Sequence, residues 1–331
     1  MENAMGGATH LDSTGPVGII GLGNMGLPMV RRFVRAGREV VALARSPHRS
    51  AAAREAGATL VDSIDELASL VAAVVLSVPA DADVAEVCFG SGGLASSLLS
   101  GSFVIDTSTI APASARQFAT DFAELGIDYV DAPVSGGPIG VEQATLAVMA
   151  GGTVEAVEVA ATVLSAFAGR FVHCGPSGAG QVAKACNQLI VVSTLQVVSE
   201  ALVLAHAAGA DVRAVREALL GGFAQSRVLE LQGLRMIERD FAPRGTVAMQ
   251  RKDVRVIQEL AAQVGVKLLP AFDTAAAAVT RLDDAGGGAL DHSALITVYE
   301  HDSDVSLGAT PTAIMLHDYP TTEHNEQKVS Q

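Results

Sequence analysis

The sequence predicts an α/β domain built on a doubly wound parallel sheet, followed by an all-helical domain that a long helix joins to it. Three observations predict this arrangement. Short apolar runs alternate with helix-like stretches, a glycine-rich turn follows the first run, and a long apolar helical pattern begins near residue 181. A length of 331 residues suits two domains that each bury a core.

The first strand–helix–strand unit lies near the N-terminus. Val17–Ile20 is a short apolar run, and residues 25–34 after the glycine-rich turn follow a helical pattern. Gly37 stops this helix, and Val40–Leu43 is the second predicted strand. The later strands are predicted at residues 71–78, 103–106, 129–130 and 146–149, and helices are predicted at residues 64–70 and 113–125. This repeated alternation predicts a parallel sheet with helical crossovers.

We expect the sheet domain to span residues 16–177 and the helical domain residues 178–303, with residues 181–208 as the joining helix. Residues 1–15 lack the basic start and apolar core of a secretory signal, and we expect a short disordered leader there. Residues 304–331 are polar and lose helical periodicity, which predicts a disordered tail.

Composition and charge exclude several classes of protein. Hydrophobic residues make up 49% of the chain and charged residues 18%, which excludes a disordered protein. Lys and Arg number 22 against 36 Asp and Glu, and the net charge of −14 would repel a nucleic acid backbone. With 4% aromatic residues and no Trp, stacking platforms are scarce, and we expect no nucleic acid partner.

Membrane insertion and metal binding are not expected either. The uncharged stretch at residues 185–199 contains Asn, Gln, Ser and Thr, so we predict no membrane span. The three cysteines, Cys88, Cys174 and Cys186, are widely spaced and form neither a disulfide framework nor a zinc pattern. These features predict a cytoplasmic protein without a metal site.

The glycine-rich turn is the first candidate binding site. It consists of Gly21, Leu22, Gly23, Asn24, Met25 and Gly26, the G-x-G-x-x-G pattern between a strand and a helix. Such a turn presents backbone amides and a helix N-terminus to a pyrophosphate. The glycines alone also fit an ordinary tight turn, but their place in a strand–helix–strand unit predicts a Rossmann-type dinucleotide-binding domain.

The end of the second strand bears on which dinucleotide binds. An Asp or Glu at this position would accept a hydrogen bond from the ribose of NAD, but the chain has Ala44 followed by Arg45. A guanidinium can form paired hydrogen bonds with the 2′-phosphate, so we predict NADPH, with NADH as the alternative. The competing interpretation is that Arg45 and Arg49 are solvated surface cations.

Two later segments carry the candidate catalytic and substrate-binding groups. In residues 131–140, consecutive amides at Ser135, Gly136 and Gly137 could bind a carboxylate, although an ordinary loop fits the same spacing. Lys184 is the only formally charged residue between Arg170 and Glu200. Asn187 and Gln188 follow it at i+3 and i+4, on the same helix face. A desolvated lysine is a plausible general acid, whereas a lone helical lysine is more often a surface residue.

Together these motifs resemble the β-hydroxyacid dehydrogenase family. The resemblance rests on residues 21–29, 131–137 and 178–188, and covers residues 16–303. It implies that Lys184 is the catalytic acid/base, and that the substrate is held by Ser135, Gly136, Gly137, Asn187 and Gln188. It further implies that the dinucleotide is contacted by Val78, Pro79, Thr109 and Lys252. For Lys252 the competing interpretation is a solvated ion pair with Asp253.

Details within the family refine the expected reaction. Residues 221–229 and 286–295, which include His292, resemble members that reduce a short hydroxy-oxo acid. Dehydrogenases of 3-hydroxyisobutyrate or of a four-carbon sugar acid such as threonate remain alternatives, as does a non-catalytic dinucleotide-binding module. A 6-phosphogluconate dehydrogenase is disfavoured because its helical domain is much longer.

Two further expectations concern the substrate loop and the assembly. Ala144 stands where the family usually has glycine, and we expect its methyl group to shift the substrate loop. The joining helix is apolar around most of its circumference, which predicts burial against a second copy of the chain. We therefore expect a homodimer or homotetramer, as the resemblance also implies.

Overall fold

A computed structural model of the chain describes residues 15–267 and 270–316. The chain divides into two compact units between Asn187 and Gln188. The predicted boundary at residues 177 and 178 stays a prediction. The predicted leader lies outside the described residues except for Gly15, as does the predicted tail beyond Leu316.

The first unit is built on one sheet, which has nine strands in the described part of the chain. The strands are β1 (Val17–Ile20), β2 (Val40–Leu43), β3 (Thr59–Val61), β4 (Ala73–Leu76), β5 (Phe103–Asp106), β6 (Asp128–Asp131), β7 (Val134–Ser135), β8 (Leu146–Gly151) and β9 (Ala168–Gly175). Their order across the sheet is β3-β2-β1-β4-β5-β6-β8-β7, and β9 also pairs with β8. The six strands from β3 to β6 run parallel, which confirms the predicted α/β fold class.

The far edge of the sheet differs from the prediction of an all-parallel arrangement. Strand β8 pairs antiparallel with both β6 and β7, and β9 then runs parallel to β8. Only a short helix separates β7 from β8, too little chain for the long crossover that parallel neighbours require. The direction of these strands therefore follows from connection length rather than from hydrophobic pattern.

Helices cover both faces of this sheet. They are α1 (Gly26–Arg35), α2 (Pro47–Glu55), α3 (Ile64–Leu70), α4 (Asp81–Phe89), α5 (Leu94–Ser97), α6 (Pro112–Ala123), α7 (Gly137–Glu142) and α8 (Val154–Leu164). Alternate residues of the central strands enter opposite cores, because side chains alternate along a strand: Ile19 and Val75 lie in one cluster, Ile20 and Leu76 in the other. Both faces are apolar, as expected for a buried parallel sheet.

The long predicted helix is α9 (Ala179–Ala207). It is the one helix in residues 15–267 and 270–316 that is long and apolar enough to cross a membrane by length and composition, with a mean hydropathy of 1.8. Core helices of non-membrane proteins meet the same criterion. Along it, Ile190, Val197 and Leu204 are exposed at a spacing of seven residues.

The second unit is helical in the residues described. After α9 it contains α10 (Val212–Leu220), α11 (Arg227–Glu238), α12 (Val247–Gln263), α13 (Pro270–Asp284), two short 3₁₀ helices (Gly287–Ala289 and His292–Leu295) and α14 (Ile296–Asp302). The breaks between these helices contain Gly209, Gly221, Gly222, Pro243 and Gly286.

The start of the predicted disordered tail is ordered. Residues 304–316 follow the helical unit, and Met315 N donates a hydrogen bond to Ala285 O. Arg239 reaches Ala309 O with its guanidinium, and Ile314 is buried. The order of this segment could not be predicted from its polar sequence, because its contacts join residues that are distant in the chain.

Candidate active site

The glycine-rich turn follows β1 and leads into α1. Gly21 has φ +100°, and a Cβ there would lie 2.2 Å from Ser77 O. A Cβ at Gly26 would lie 1.8 Å from Gly21 O, so both positions require glycine. A Cβ at Gly23 would meet no atom within 4 Å, and no side chain caps the start of α1 at Met25. The turn thus leaves open space at the N-terminus of α1, which fits a dinucleotide pyrophosphate.

The other predicted cofactor residues of the first unit follow the carboxyl ends of strands, as the glycine-rich turn does. Val78 and Pro79 follow β4, and Thr109 follows β5, which pairs with β4. Val78 N donates to Ser108 Oγ at 3.0 Å and so ties the two strand ends together. The carboxyl ends of neighbouring parallel strands are where open α/β sheets bind their ligands.

Arg45 lies two residues after the end of β2. This strand pairs with β1, which leads into the glycine-rich turn. Its guanidinium is 3.9 Å from the carboxylate of Asp83, and its side chain is 68% exposed. An ion pair this long and this exposed contributes little to stability. Arg45 can therefore turn to an incoming phosphate at small cost.

The loop with Ser135, Gly136 and Gly137 joins β7 to α7. Gly136 and Gly137 have φ of +130° and +64°, a region that favours glycine. A Cβ at Gly136 would lie 2.9 Å from Leu146, whereas at Gly137 it would meet nothing within 4 Å. Ser135 is half-buried beside them. Gly136 is exposed and Gly137 is half-buried, so a ligand can reach this loop.

Lys184 lies close to that loop. Its side chain is on α9 and only 8% exposed, and Nζ donates a hydrogen bond to Val134 O at 2.9 Å. Val134 directly precedes Ser135, so the structure brings the ammonium and the loop together. The interpretation of Lys184 as a solvated surface residue is wrong.

Asn187 and Gln188 follow Lys184 on α9, and both are half-buried. Gln188 Nε2 donates to Asp253 Oδ2 at 2.5 Å. In the same unit Lys252 Nζ lies 3.3 Å from the other carboxylate oxygen, and Asp253 is buried. The Lys252–Asp253 pair is thus largely withdrawn from solvent rather than a solvated surface pair.

Sequence reasoning assigned no role to Asp131 and Gln181. The Gln181 amide donates to Ser108 O at 2.8 Å and accepts from Ile110 N, so it brackets Thr109. Burial raises the pKa of Asp131 to about 7, although amides of Gly178 and Gln181 donate to its carboxylate. A carboxylate directly after an apolar strand was the signal that could have revealed Asp131.

His292 and Asp291 lie in the helical unit. Asp291 caps the second 3₁₀ helix by accepting a hydrogen bond from Ser293 N. His292 Nδ1 lies 3.1 Å from Gln250 Oε1. Burial lowers the pKa of His292, so neutral imidazole is favoured.

Comparisons with known proteins bear on both units. The family model for the NAD-binding domain of 6-phosphogluconate dehydrogenase matches residues 16–175. The model for the NAD-binding domain of NADP-dependent 3-hydroxyisobutyrate dehydrogenase matches residues 178–299. Together they span most of the chain.

Individual relatives agree with these models. A 2-hydroxy-3-oxopropionate reductase of Escherichia coli K12 is 37% identical over 284 residues, which are 86% of this chain and 97% of the relative. An L-threonate dehydrogenase of the same strain is 32% identical over 285 residues, 86% of this chain and 94% of the relative.

A solved structure of 3-hydroxyisobutyrate dehydrogenase from Salmonella typhimurium superposes with a TM-score of 0.79 and 31% identity, over 86% of this chain and 99% of that one. The glycine-rich turn, the buried Lys184 and these matches lead to one assignment. The chain belongs to the β-hydroxyacid dehydrogenase family and is an NAD(P)-dependent oxidoreductase.

Proposed function

We propose that this enzyme reduces 2-hydroxy-3-oxopropionate, also called tartronate semialdehyde, to D-glycerate with Lys184 as the general acid. The observation that carries the proposal is the hydrogen bond from Lys184 Nζ to Val134 O, which holds a buried ammonium beside the Ser135 loop. The reductase relative at 37% identity supports the choice of substrate. So do residues 221–229 and 286–295, which resemble that reductase.

The chemistry needs an acid at the carbonyl oxygen. Bound NAD(P)H supplies the hydride that adds to the aldehyde carbon. Lys184 donates a proton from Nζ to the carbonyl oxygen, which becomes the new hydroxyl group. Without this proton the oxygen would develop alkoxide charge in a site that excludes water, where the charge is costly.

Binding and orientation are assigned to groups around Lys184. The amides of Gly136 and Gly137, with the Ser135 hydroxyl, bind the substrate carboxylate, because consecutive amides form an anion site. Asn187 orients the substrate hydroxyl. Gln188 also orients the substrate hydroxyl, and it uses its side-chain carbonyl oxygen because its Nε2 donates to Asp253.

The glycine-rich turn would hold the cofactor together with Val78, Pro79 and Thr109 at the strand ends. The family resemblance also assigns Lys252 to cofactor binding. NADPH is the preferred form in this proposal, because Arg45 stands where a carboxylate would select NAD. NADH is the weaker alternative.

Assembly and location are also proposed. Ile190, Val197 and Leu204 form an exposed apolar stripe on α9 that is symmetric about Val197. Two antiparallel copies could therefore cover each other's stripe, which supports a homodimer or a homotetramer. We place the enzyme in the cytoplasm, without a nucleic acid or membrane partner.

A substrate panel tests the proposed reaction. Tartronate semialdehyde, D-glycerate, L-threonate and 3-hydroxyisobutyrate are assayed with NADPH or NADP⁺ and with NADH or NAD⁺. The highest kcat/KM is expected for tartronate semialdehyde with NADPH. A higher value for threonate or 3-hydroxyisobutyrate would assign the enzyme to that branch of the family, and turnover of none would contradict the proposal.

A further inference from the structure

The carboxylate of Asp131 fixes the start of α9. Asp131 is the last residue of β6 and is fully buried. Its Oδ1 accepts a hydrogen bond from Gly178 N at 2.7 Å, and its Oδ2 accepts one from Gln181 N at 2.9 Å. Gly178 directly precedes α9 and Gln181 lies in its first turn, where backbone amides have no partner within the helix itself. A strand side chain therefore caps α9 from outside.

The same stretch of chain meets α9 a second time. Val134 lies three positions after Asp131, and its carbonyl accepts the hydrogen bond from Lys184 Nζ at 2.9 Å. The segment is thus held at Asp131 by the first turn of α9 and at Val134 by Lys184. Ser135 follows directly, so this double attachment sets the distance between the ammonium and the substrate loop.

The junction leaves the carboxylate no room to move. A Cβ at Gly151 would lie 2.6 Å from Asp131 Oδ1, and a Cβ at Gly180 would lie 2.8 Å from Oδ2. Two glycines therefore line the space that the carboxylate fills. Packing this tight transmits a change at Asp131 to α9.

We propose that Asp131 is the positioning residue for Lys184: its carboxylate ties α9 to the end of β6 and so sets the ammonium against Ser135. This inference rests on the proposed catalytic role of Lys184. Asp131 itself touches neither substrate nor cofactor in this account. Its loss should lower kcat and leave cofactor binding intact.

The tie depends on the charge of the carboxylate. Burial raises the pKa of Asp131 to about 7, and a protonated carboxyl loses acceptor capacity toward the two amides. The titratable groups that interact with its charge are Asp106 on β5, Tyr129 on β6 and Cys174 on β9. The charged group nearby on α9 is Lys184, which contacts Val134 O. Burial also raises the pKa of Asp106, to about 6. The variant Asp106→Asn therefore distinguishes the titration of Asp131 from that of Asp106.

The first experiment compares Asp131→Asn with Asp211→Asn. Asp211 caps α10 by accepting from Arg213 N and Ala214 N, so it is a matched helix cap far along the chain. The Gln181 side chain anchors α9 independently through Ser108, so Asp131→Asn is expected to fold. We expect kcat to fall by about 10–100-fold in Asp131→Asn, with KM for NADPH within about twofold. Asp211→Asn should keep the wild-type values.

The second readout does not depend on any substrate. The chain has only four lysines, so ¹³C-lysine labelling gives a spectrum that Lys→Arg variants can assign. The Lys184 signal should shift in Asp131→Asn and stay unchanged in Asp211→Asn, and the Lys252 signal should stay unchanged in both. If Lys184→Ala stays active while Asp131→Asn still moves the Lys184 signal, the catalytic proposal fails and the positioning inference stands.

The third readout is the pH dependence of the Lys184 signal and of kcat in the wild-type enzyme, between about pH 5 and about pH 9. This measurement does not require that a variant folds. The Lys184 signal and kcat should change together near pH 7, with activity lost as the pH falls, and the change should persist in Asp106→Asn. Asp131→Asn should lack it. The inference is overturned if Lys184 shows no change near pH 7, or if Asp131→Asn leaves both the signal and kcat as in wild type.

Discussion

Asp253 holds Gln188 with one carboxylate oxygen and Lys252 with the other, at 2.5 Å and 3.3 Å. The first partner is a predicted substrate residue and the second a predicted cofactor residue. One buried carboxylate in the helical unit thus holds two side chains for which different ligands are predicted.

We predict that Asp253→Asn weakens both substrate and cofactor binding. The amide loses the charge that holds Lys252, and hydrogen bonds to charged groups are worth about 1.5–3 kcal/mol, or roughly 10–150-fold in affinity. Steady-state kinetics should show KM raised for both ligands. Asp273→Asn, an exposed carboxylate on α13, is the control, and unchanged KM values in Asp253→Asn would refute this role.

Replacement of Arg45 by alanine should discriminate between the two cofactors. The loss of a charge-assisted contact to the 2′-phosphate should cost about 1.5–3 kcal/mol in kcat/KM with NADPH and little with NADH. Arg54→Ala, at the exposed end of α2, is the control. Equal losses with both cofactors would show that Arg45 does not read the phosphate.

Ala144 occupies the position after α7 that usually requires glycine. It has φ +54°, and the hydrogen bonds from Ala144 N to Val141 O and from Thr145 N to Gly140 O form a Schellman motif. Ala144→Gly should remove about 1–2 kcal/mol of strain and lose about 0.5–1 kcal/mol to backbone entropy.

The net effect expected for Ala144→Gly is an increase of about 0.5–1 kcal/mol in the free energy of unfolding. Denaturant titration measures it. Ala51→Gly in α2, where alanine is exposed and helical, should instead lose about 1 kcal/mol. A destabilised Ala144→Gly would mean that the methyl group makes contacts that outweigh the strain.

The exposed stripe on α9 predicts how copies associate. Val197 lies at its centre, 53% exposed, and Val197→Glu should place like charges face to face in a symmetric pair. Light scattering should give a multiple of 33.8 kDa for the wild type and a smaller assembly for this variant. Leu99→Glu, at a leucine that is 78% exposed in the first unit, is the control. A wild type that is active as a monomer would contradict the proposed assembly.

Much of the sheet could be predicted because its central strands are buried on both faces. Val17–Ile20, Val40–Leu43 and Phe103–Asp106 are short, mostly apolar runs, and the structure has the same bounds. Strand β9 was missed because most of its residues are exposed and several are polar. Strand β7 has two residues, too few to form a pattern.

The site was predictable to the extent that its chemistry lies in local patterns. An isolated charge in an apolar helix revealed Lys184, and spacing revealed the glycine-rich turn. The hydrogen bonds of Asp131 to Gly178 and of Asp253 to Gln188 join residues 47 and 65 positions apart. Such contacts exist only once the chain has folded, so no local pattern encodes them.

The catalytic role of Lys184 is tested most directly by the turnover of Lys184→Ala with saturating NADPH and tartronate semialdehyde. Lys267→Ala, at an exposed lysine, is the matched control. If Lys184 supplies the proton, kcat should fall by about 10²–10⁴-fold while NADPH binding, followed by fluorescence, stays as in the wild type. Near-normal turnover of Lys184→Ala would contradict this account.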